Sequence, residues 1–371
     1  MVSPPLDLGV YKKAADFVFA GKSPYSEEFI DPKIYLPWVY TPFATILLLP
    51  LHFIPTNLLL IFWTIFGISI PLVVLVLTAY QGIFVSKSFE HSEKKYLFAI
   101  FFLLAASAGP LIDAWAIGQI GLIIAALTLF DLSAPSNWFN FGKFKLPRGM
   151  LAGIAGAMKL VPLIVIPFWL VTRQTKQAMI ALGTVIFSWG LAFIALPNYS
   201  IEYFTKKHFL ATNGVENVSS TDNQSLIGAA MRALNTDQLP TWLWIGILLL
   251  TSSVGIIFAS ITYKNGNLLN AGIIVGLTST LASPVSWIHH IVWLVAVPGA
   301  LLRDSGFRKM SGKLTSQAWL WYISLLMVAI PPLRYGWSPF RRLGLTEQYN
   351  LISILFIALL WWLSRKKTIK I

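Results

Sequence analysis

Few side chains in this sequence could do chemistry, and they stand in short polar motifs between long apolar runs. Asp7 lies in Pro5-Leu6-Asp7-Leu8-Gly9-Val10-Tyr11, just ahead of a helical pattern. Aspartate is a preferred helix N-cap, and on the residue alone capping is the favoured reading. A carboxylate there could instead take the proton of an alcohol as general base. His289-His290 close the run Ser283-Pro284-Val285-Ser286-Trp287-Ile288, at the end of an apolar span. Ionisable residues at membrane depth are functional candidates by default. The alternative is a structural pair bonded to a carbonyl. Adjacent histidines leave different faces of a helix, and no carboxylate or third histidine completes a site beside them, so a shared metal is not expected.

Three weaker signals accompany these. Asn223-Gln224-Ser225 precedes a short helical stretch ending at Arg232, whose guanidinium could grip a phosphate bidentately or be a solvated charge. Gly118-Gln119 forms a polar turn after Asp113. Lys159 stands in an apolar stretch, where a lysine can also snorkel.

The surrounding sequence says what must hold these groups. The 371 residues are 56% hydrophobic and 12% charged, about half the usual charged share of a soluble domain. Apolar runs recur from end to end, so the chain reads as an all-α polytopic membrane protein, a single unit over 1–371. There is no cysteine, which removes disulfides, thiolate metal sites and a cysteine nucleophile.

The net charge of +13 is an orientation signal. Starting from the basic tail Arg365-Lys366-Lys367 inside, the spans read 349–365, 316–333, 287–302, 268–285, 240–262, 178–196, 118–132, 96–112 and 56–80. The basic loop 303–315 (Arg303, Arg308, Lys309, Lys313) then falls inside, and the polar loop 197–239 outside. The basic loop 133–148 stays inside only if 149–171 is a hairpin of two half-helices, broken around Lys159 and Pro162. Segment 41–54 is too short to cross and reads as re-entrant. Nucleic acid is not expected as a partner.

Residues 1–40 read as an outer segment, with Leu6, Val10, Ala14 and Phe17 on the apolar face of an amphipathic helix. No cleavable signal peptide is visible, so a preceding span is expected to be missing from this sequence. Gly149, Gly153 and Gly156 predict close helix packing. Aromatic residues at 35–40, 319–322 and 361–362 suit interfacial belts.

Taken together, the motifs resemble the GT-C-type glycosyltransferases of glycosyltransferase family 87, in particular the actinobacterial polyprenyl-phosphate-mannose-dependent α-1,2-mannosyltransferases. The match rests on Asp7-Leu8-Gly9-Val10-Tyr11, Tyr40-Thr41-Pro42-Phe43-Ala44 with Leu49-Pro50-Leu51, Gly118-Gln119, and Ala157-Met158-Lys159-Leu160-Val161-Pro162. It continues through Asn223-Gln224-Ser225-Leu226 and Ser283-Pro284-Val285-Ser286-Trp287-Ile288-His289-His290. The last run is fairly specific; the others are individually weak. Two features depart from the family: a helix usually precedes the Asp motif, and Tyr40-Thr41-Pro42 stands for Tyr-Pro-Pro, a change expected to alter a turn.

The resemblance implies a bundle of about 9–11 transmembrane helices with re-entrant half-helices and short outer loops. It moves Asp7 to the general-base role in an inverting transfer of mannose from polyprenyl-phosphate-mannose. The acceptor would be a hydroxyl of a glycolipid, of phosphatidylinositol mannoside or lipomannan type, at the extracytoplasmic face of the plasma membrane. His289 and His290 become catalytic candidates. Tyr11, Tyr40, Gln119, Lys159, Asn223, Gln224, Arg232 and Trp287 become donor-phosphate or substrate contacts. No cofactor or metal is expected. A pentose donor, or a lipid-linked-sugar flippase built on the same cavity, remains the alternative. One tension is internal: an Asp whose carboxylate is held by helix N–H groups is a poor base.

Overall fold

The computed structural model describes residues 4–30, 36–81, 91–134, 138–141, 144–206, 218–305 and 347–365. The expected span 316–333, Arg308, Lys309, Lys313 and the aromatic group at 319–322 lie outside these residues. The described chain is an all-α membrane protein. Helices satisfy every backbone polar group internally, as hydrocarbon requires.

Helix α1 (Leu6–Phe19) packs against α2 (Pro42–Leu48) and the 3-10 turn Leu49–Phe53. Its buried face is Leu8, Tyr11, Ala14 and Ala15, while Leu6 is exposed. The face expected from Leu6, Val10, Ala14 and Phe17 is therefore rotated, because α1 buries one side in protein and does not simply float at an interface. Thr41 caps α2, its hydroxyl accepting from Ala44 N–H at 3.2 Å and donating to the Ala157 carbonyl at 2.5 Å. The departure at Thr41 thus supplies a cap and ties two segments together.

Three helices among the described residues have the length and apolarity to span a bilayer: α3 (Thr56–Ala79), α9 (Thr175–Ala195) and α12 (Thr241–Lys264). At 1.5 Å per residue they run roughly 32–36 Å. They match the expected spans 56–80, 178–196 and 240–262. The 96–112 span divides into α4 (His91–Ala106) and α5 (Gly109–Ile117), with residues 94–106 and 109–117 bent by 68° around Pro110. After them come α6 (Gly121–Ser133) and a short hairpin of β1 (Trp138–Phe141) paired antiparallel with β2 (Phe144–Pro147).

Three expectations need correction: the span expected at 118–132 forms only the 13-residue α6, shorter than a bilayer crossing. Segment 268–285 forms α13 (Leu268–Ala282), 15 residues that are all buried. It is a core helix too short to cross comfortably. Segment 287–302 is no continuous span: it opens as 3-10 turns at Ile288–His290 and Val292–Ala296 before α14 (Val297–Ser305).

The 149–171 hairpin forms as expected. Helix α7 (Met150–Met158) stops at Lys159, which is extended at φ −149° and ψ 135°. The chain then makes a 3-10 turn at Val161–Ile164 and continues as α8 (Val165–Val171). Gly149 faces Gln177 and Ile180, Gly153 faces Ala181 and Thr184, and Gly156 faces Val185, so α7 and α9 run side by side in one direction. Helix α8 packs back on α9 through the turn 172–174, hence α7 and α8 are antiparallel. Close approach requires the glycine at 153: a Cβ would come 2.8 Å from the Ala181 carbonyl oxygen. The start of α7 is fixed by Asp131, whose carboxylate accepts from Gly149 and Ala152 N–H at 2.8 and 2.9 Å. Arg148, expected as a loop charge, is buried and donates to the carbonyls of Asp131 and Leu132.

Helix α10 (Pro197–Thr205) follows α9, and α11 (Leu226–Ala233) precedes α12. The final described helix is α15 (Gln348–Arg365), matching the expected 349–365.

Candidate active site

Asp7 and Tyr11 are four residues apart on α1, so they share a face. Pro5 occupies the N-cap position and Asp7 is the second helical residue, within the first turn. The capping reading of Asp7 is thereby overturned. Its carboxylate instead accepts from Gln119 Nε2.

Gln119 reaches it because α5 ends at Gly118, in the left-handed region at φ 78°. Glycine adopts that conformation without a Cβ penalty, and the turn sends the Gln119 side chain into the interior, 2% exposed. Gln119 Oε1 accepts from the hydroxyls of Tyr11 and Tyr40, both at 2.7 Å, and from Ile120 N–H at 2.9 Å. Burial, with the Asp7 carboxylate adding to it, pushes both phenols above their usual range, so they serve as neutral donors.

His289 completes the other side of this amide: its Nε2 lies 3.2 Å from Gln119 Nε2, and its Nδ1 lies 3.0 Å from Asp113 Oδ2. Asp113 is fully buried on α5. A carboxylate therefore does stand beside the histidines, contrary to the sequence expectation, although no group of three or more metal-ligating side chains occurs among the described residues. The signal was present in the sequence: an acid inside the apolar helix Gly109–Ile117 is a candidate by the same rule that picked the histidines. His290 points elsewhere, its Nε2 2.8 Å from Lys159 Nζ. Lys159 also sits over the Tyr40 ring, 5.5 Å from its centroid.

Asp7, Tyr11, Tyr40, Asp113, Gln119, Lys159, Trp287, His289 and His290 all line one cavity of about 990 Å³. Asp222 and Ser220, which sequence reasoning did not single out, line it as well. Burial raises the Asp222 carboxyl above its usual range. The same cavity runs on between α8 and α12 along Leu163, Ile164, Pro167, Leu248, Leu249 and Ile256. The lining thus joins a set of ionisable groups to a mostly apolar stretch that also includes Ser252.

Asn223, Gln224 and Arg232 do not line it. Asn223 Oδ1 accepts from Ser286 N–H at 2.8 Å, and Gln224 N–H donates to the Ser286 carbonyl at 2.8 Å. Ser225 caps α11 through Gly228 N–H and donates to the Pro284 carbonyl at 3.2 Å. This motif clamps the segment that carries Trp287, His289 and His290. Gln224 Oε1 also accepts from Tyr349 N–H at 2.9 Å, at the start of α15. Arg232 pairs bidentately with Glu347 at 2.5 and 2.6 Å and donates to the Ser220 and Asn223 carbonyls at 2.5 and 3.0 Å. The phosphate contact expected of Arg232 is replaced by a clasp between α11 and α15.

Comparison with known proteins adds an independent line. Residues 38–284 match glycosyltransferase family 87. The chain is similar to the polyprenol-phosphate-mannose-dependent alpha-(1-2)-phosphatidylinositol pentamannoside mannosyltransferases of Mycobacterium tuberculosis (strain CDC 1551 / Oshkosh) and Mycolicibacterium smegmatis. Identity is 25% in both cases, covering 88% of this chain and 72% and 75% of those proteins. It is also 29% identical, over 50% of its length and 42% of the relative's, to the M. tuberculosis (strain ATCC 25618 / H37Rv) polyprenol-phosphate-mannose-dependent alpha-(1-2)-phosphatidylinositol mannoside mannosyltransferase. No solved structure matches the chain.

Proposed function

The chain belongs to glycosyltransferase family 87, and from that premise we propose that it moves a mannosyl residue from polyprenyl-phosphate-mannose to a hydroxyl of a phosphatidylinositol mannoside or related glycolipid. One observation carries this reading: an acid, a lysine and two histidines from distant segments share a cavity whose lining is otherwise mostly apolar. The ionisable groups suit a sugar phosphate, and the apolar lining contributed by α8 and α12 suits an isoprenoid chain.

Asp7 takes the proton of the acceptor hydroxyl as its oxygen attacks the anomeric carbon. The bond from that carbon to the phosphate oxygen breaks, its electron pair stays on the oxygen, and configuration inverts. The departing polyprenyl phosphate gains negative charge, which calls for neutralisation more than for a proton. Lys159, whose Nζ lies 2.8 Å from His290 Nε2, supplies positive charge there. In this scheme no metal ion is required. Asp222, which lines the same cavity, accepts hydrogen bonds from acceptor hydroxyls. Asp7 is suited to its role because a side-chain amide holds it, where a helix cap would tie it to backbone N–H groups.

The extracytoplasmic placement is supported by charge. Phe258 stacks on Trp361 at 4.7 Å and Ser364 bonds Thr262, so α12 and α15 run parallel. Lys264 and Arg365 close the same end of this pair. Basic residues favour the cytoplasmic side, and the cavity residues Leu248 and Leu249 lie toward the other end.

The test is transfer in membranes from polyprenyl-phosphate-mannose to phosphatidylinositol mannosides, with native protein and Asp7→Ala. Native turnover with a loss of about 10²–10⁴ in Asp7→Ala, donor binding retained, supports the reading. Undiminished turnover in Asp7→Ala removes the base, and translocation of donor without transfer makes the protein a flippase.

A further inference from the structure

The network around Gln119 fixes where each proton sits. Ile120 N–H can only donate, and it lies 2.9 Å from Gln119 Oε1. A carboxylate can only accept, and Asp7 lies at the amide nitrogen. Both ends therefore give the amide one orientation, with its oxygen toward Ile120 and its NH₂ toward Asp7. That NH₂ also meets His289 Nε2 at 3.2 Å, so Nε2 must accept and carries no proton. A neutral imidazole with a bare Nε2 holds its proton on Nδ1. Nδ1 lies 3.0 Å from Asp113 Oδ2, which accepts it.

We propose that Asp113 is a positioning residue for the transfer, locking His289 in the Nδ1–H tautomer so that His289 and Asp7 together hold the Gln119 amide and, through it, the Asp7 carboxylate. Histidine tautomers are set in this way by the partner of the second nitrogen. Without Asp113 the proton can move to Nε2, where it points at the Gln119 N–H. The amide cannot answer by flipping, because its NH₂ would then face Ile120 N–H. The arrangement around Asp7 is single-valued only while Asp113 accepts. His289 on this account acts through Gln119, and the phosphate falls to Lys159 and His290. The inference rests on the assignment of Asp7 as base.

The test combines a kinetic cycle with a measurement that needs no turnover. Asp113→Ala, Gln119→Ala and the double variant are compared in the mannosyl-transfer assay. Expected are a fall in kcat of about tenfold or more for Asp113→Ala with donor Kd unchanged, and a double variant no slower than Gln119→Ala alone. Hydrogen exchange at the peptide containing Ile120 should quicken in Asp113→Ala, since its 2.9 Å bond to Gln119 Oε1 is no longer fixed and the longer one to the Tyr11 hydroxyl, at 3.2 Å, is left. Fully additive losses, or Ile120 exchange identical to native, overturn the proposal. Should Asp113→Ala fail to fold, Asp113→Leu, which fills the space and likewise offers no acceptor to His289 Nδ1, enters the same cycle and the same exchange measurement. A native protein without transferase activity defeats the family-based function, while the Ile120 exchange still decides the role of Asp113.

Discussion

Lys159 Nζ lies 2.8 Å from His290 Nε2, joining the break in a re-entrant hairpin to the second member of a histidine pair. Neither element places the basic group alone. Helix α7 stops at Lys159, and the Ile288–His290 turn brings the imidazole to it. The pair lines the same cavity as Asp7, so the proposed base and the positive charge face one space.

If Lys159 answers the charge of the donor phosphate, Lys159→Met should weaken donor binding by about tenfold or more and lower kcat further, since charge grows on the leaving group. Lys159→Arg should recover part of the binding. Titration with the donor in detergent, alongside transfer rates, checks both; native donor affinity in Lys159→Met assigns the phosphate elsewhere.

Arg232 separates a clasp from a ligand. Arg232→Gln breaks the pair with Glu347 that joins α11 to α15 and should cost about 1–2 kcal/mol in stability, with the donor KM within about twofold of native. Thermal melting and steady-state kinetics distinguish the outcomes, and a large rise in donor KM at native stability would restore the phosphate role.

Gly153→Leu should destabilise by about 1–3 kcal/mol through overpacking, because even a Cβ at this position meets Thr184 Cβ at 2.7 Å. The measurement is the melting temperature of the purified protein. Gly183, which has open space around it, is the control: Gly183→Ala should leave the melting temperature no lower, as alanine is the better helix former.

Transfer should survive a chelator. With Lys159 placed to meet the phosphate charge, prolonged EDTA treatment followed by assay in metal-free buffer is expected to leave kcat within about twofold. Loss of activity restored by a divalent cation would contradict the proposed scheme.

The class of this protein and much of its framework were legible in one sequence. Apolar runs with few charges dictate helices in lipid, since the backbone has no other way to satisfy itself there. Lys159 and Pro162 marked the break in 149–171 because a proline cannot continue a helix from before it. Short motifs likewise singled out Asp7, Gln119, Lys159, His289 and His290, which the fold brings together.

Other features depended on contacts between distant segments. Residue type could not tell a cap from a base at Asp7, since the difference lies in whether Pro5 or Asp7 holds the N-cap. Arg232 looked the same as a phosphate ligand or a clasp until Glu347, far along the chain, was seen beside it. Asp113 gained meaning only when the turn after Trp287 laid His289 against α5. Hydropathy and helix breaks are written in neighbouring residues; the partner of a buried polar group is chosen by packing across the chain.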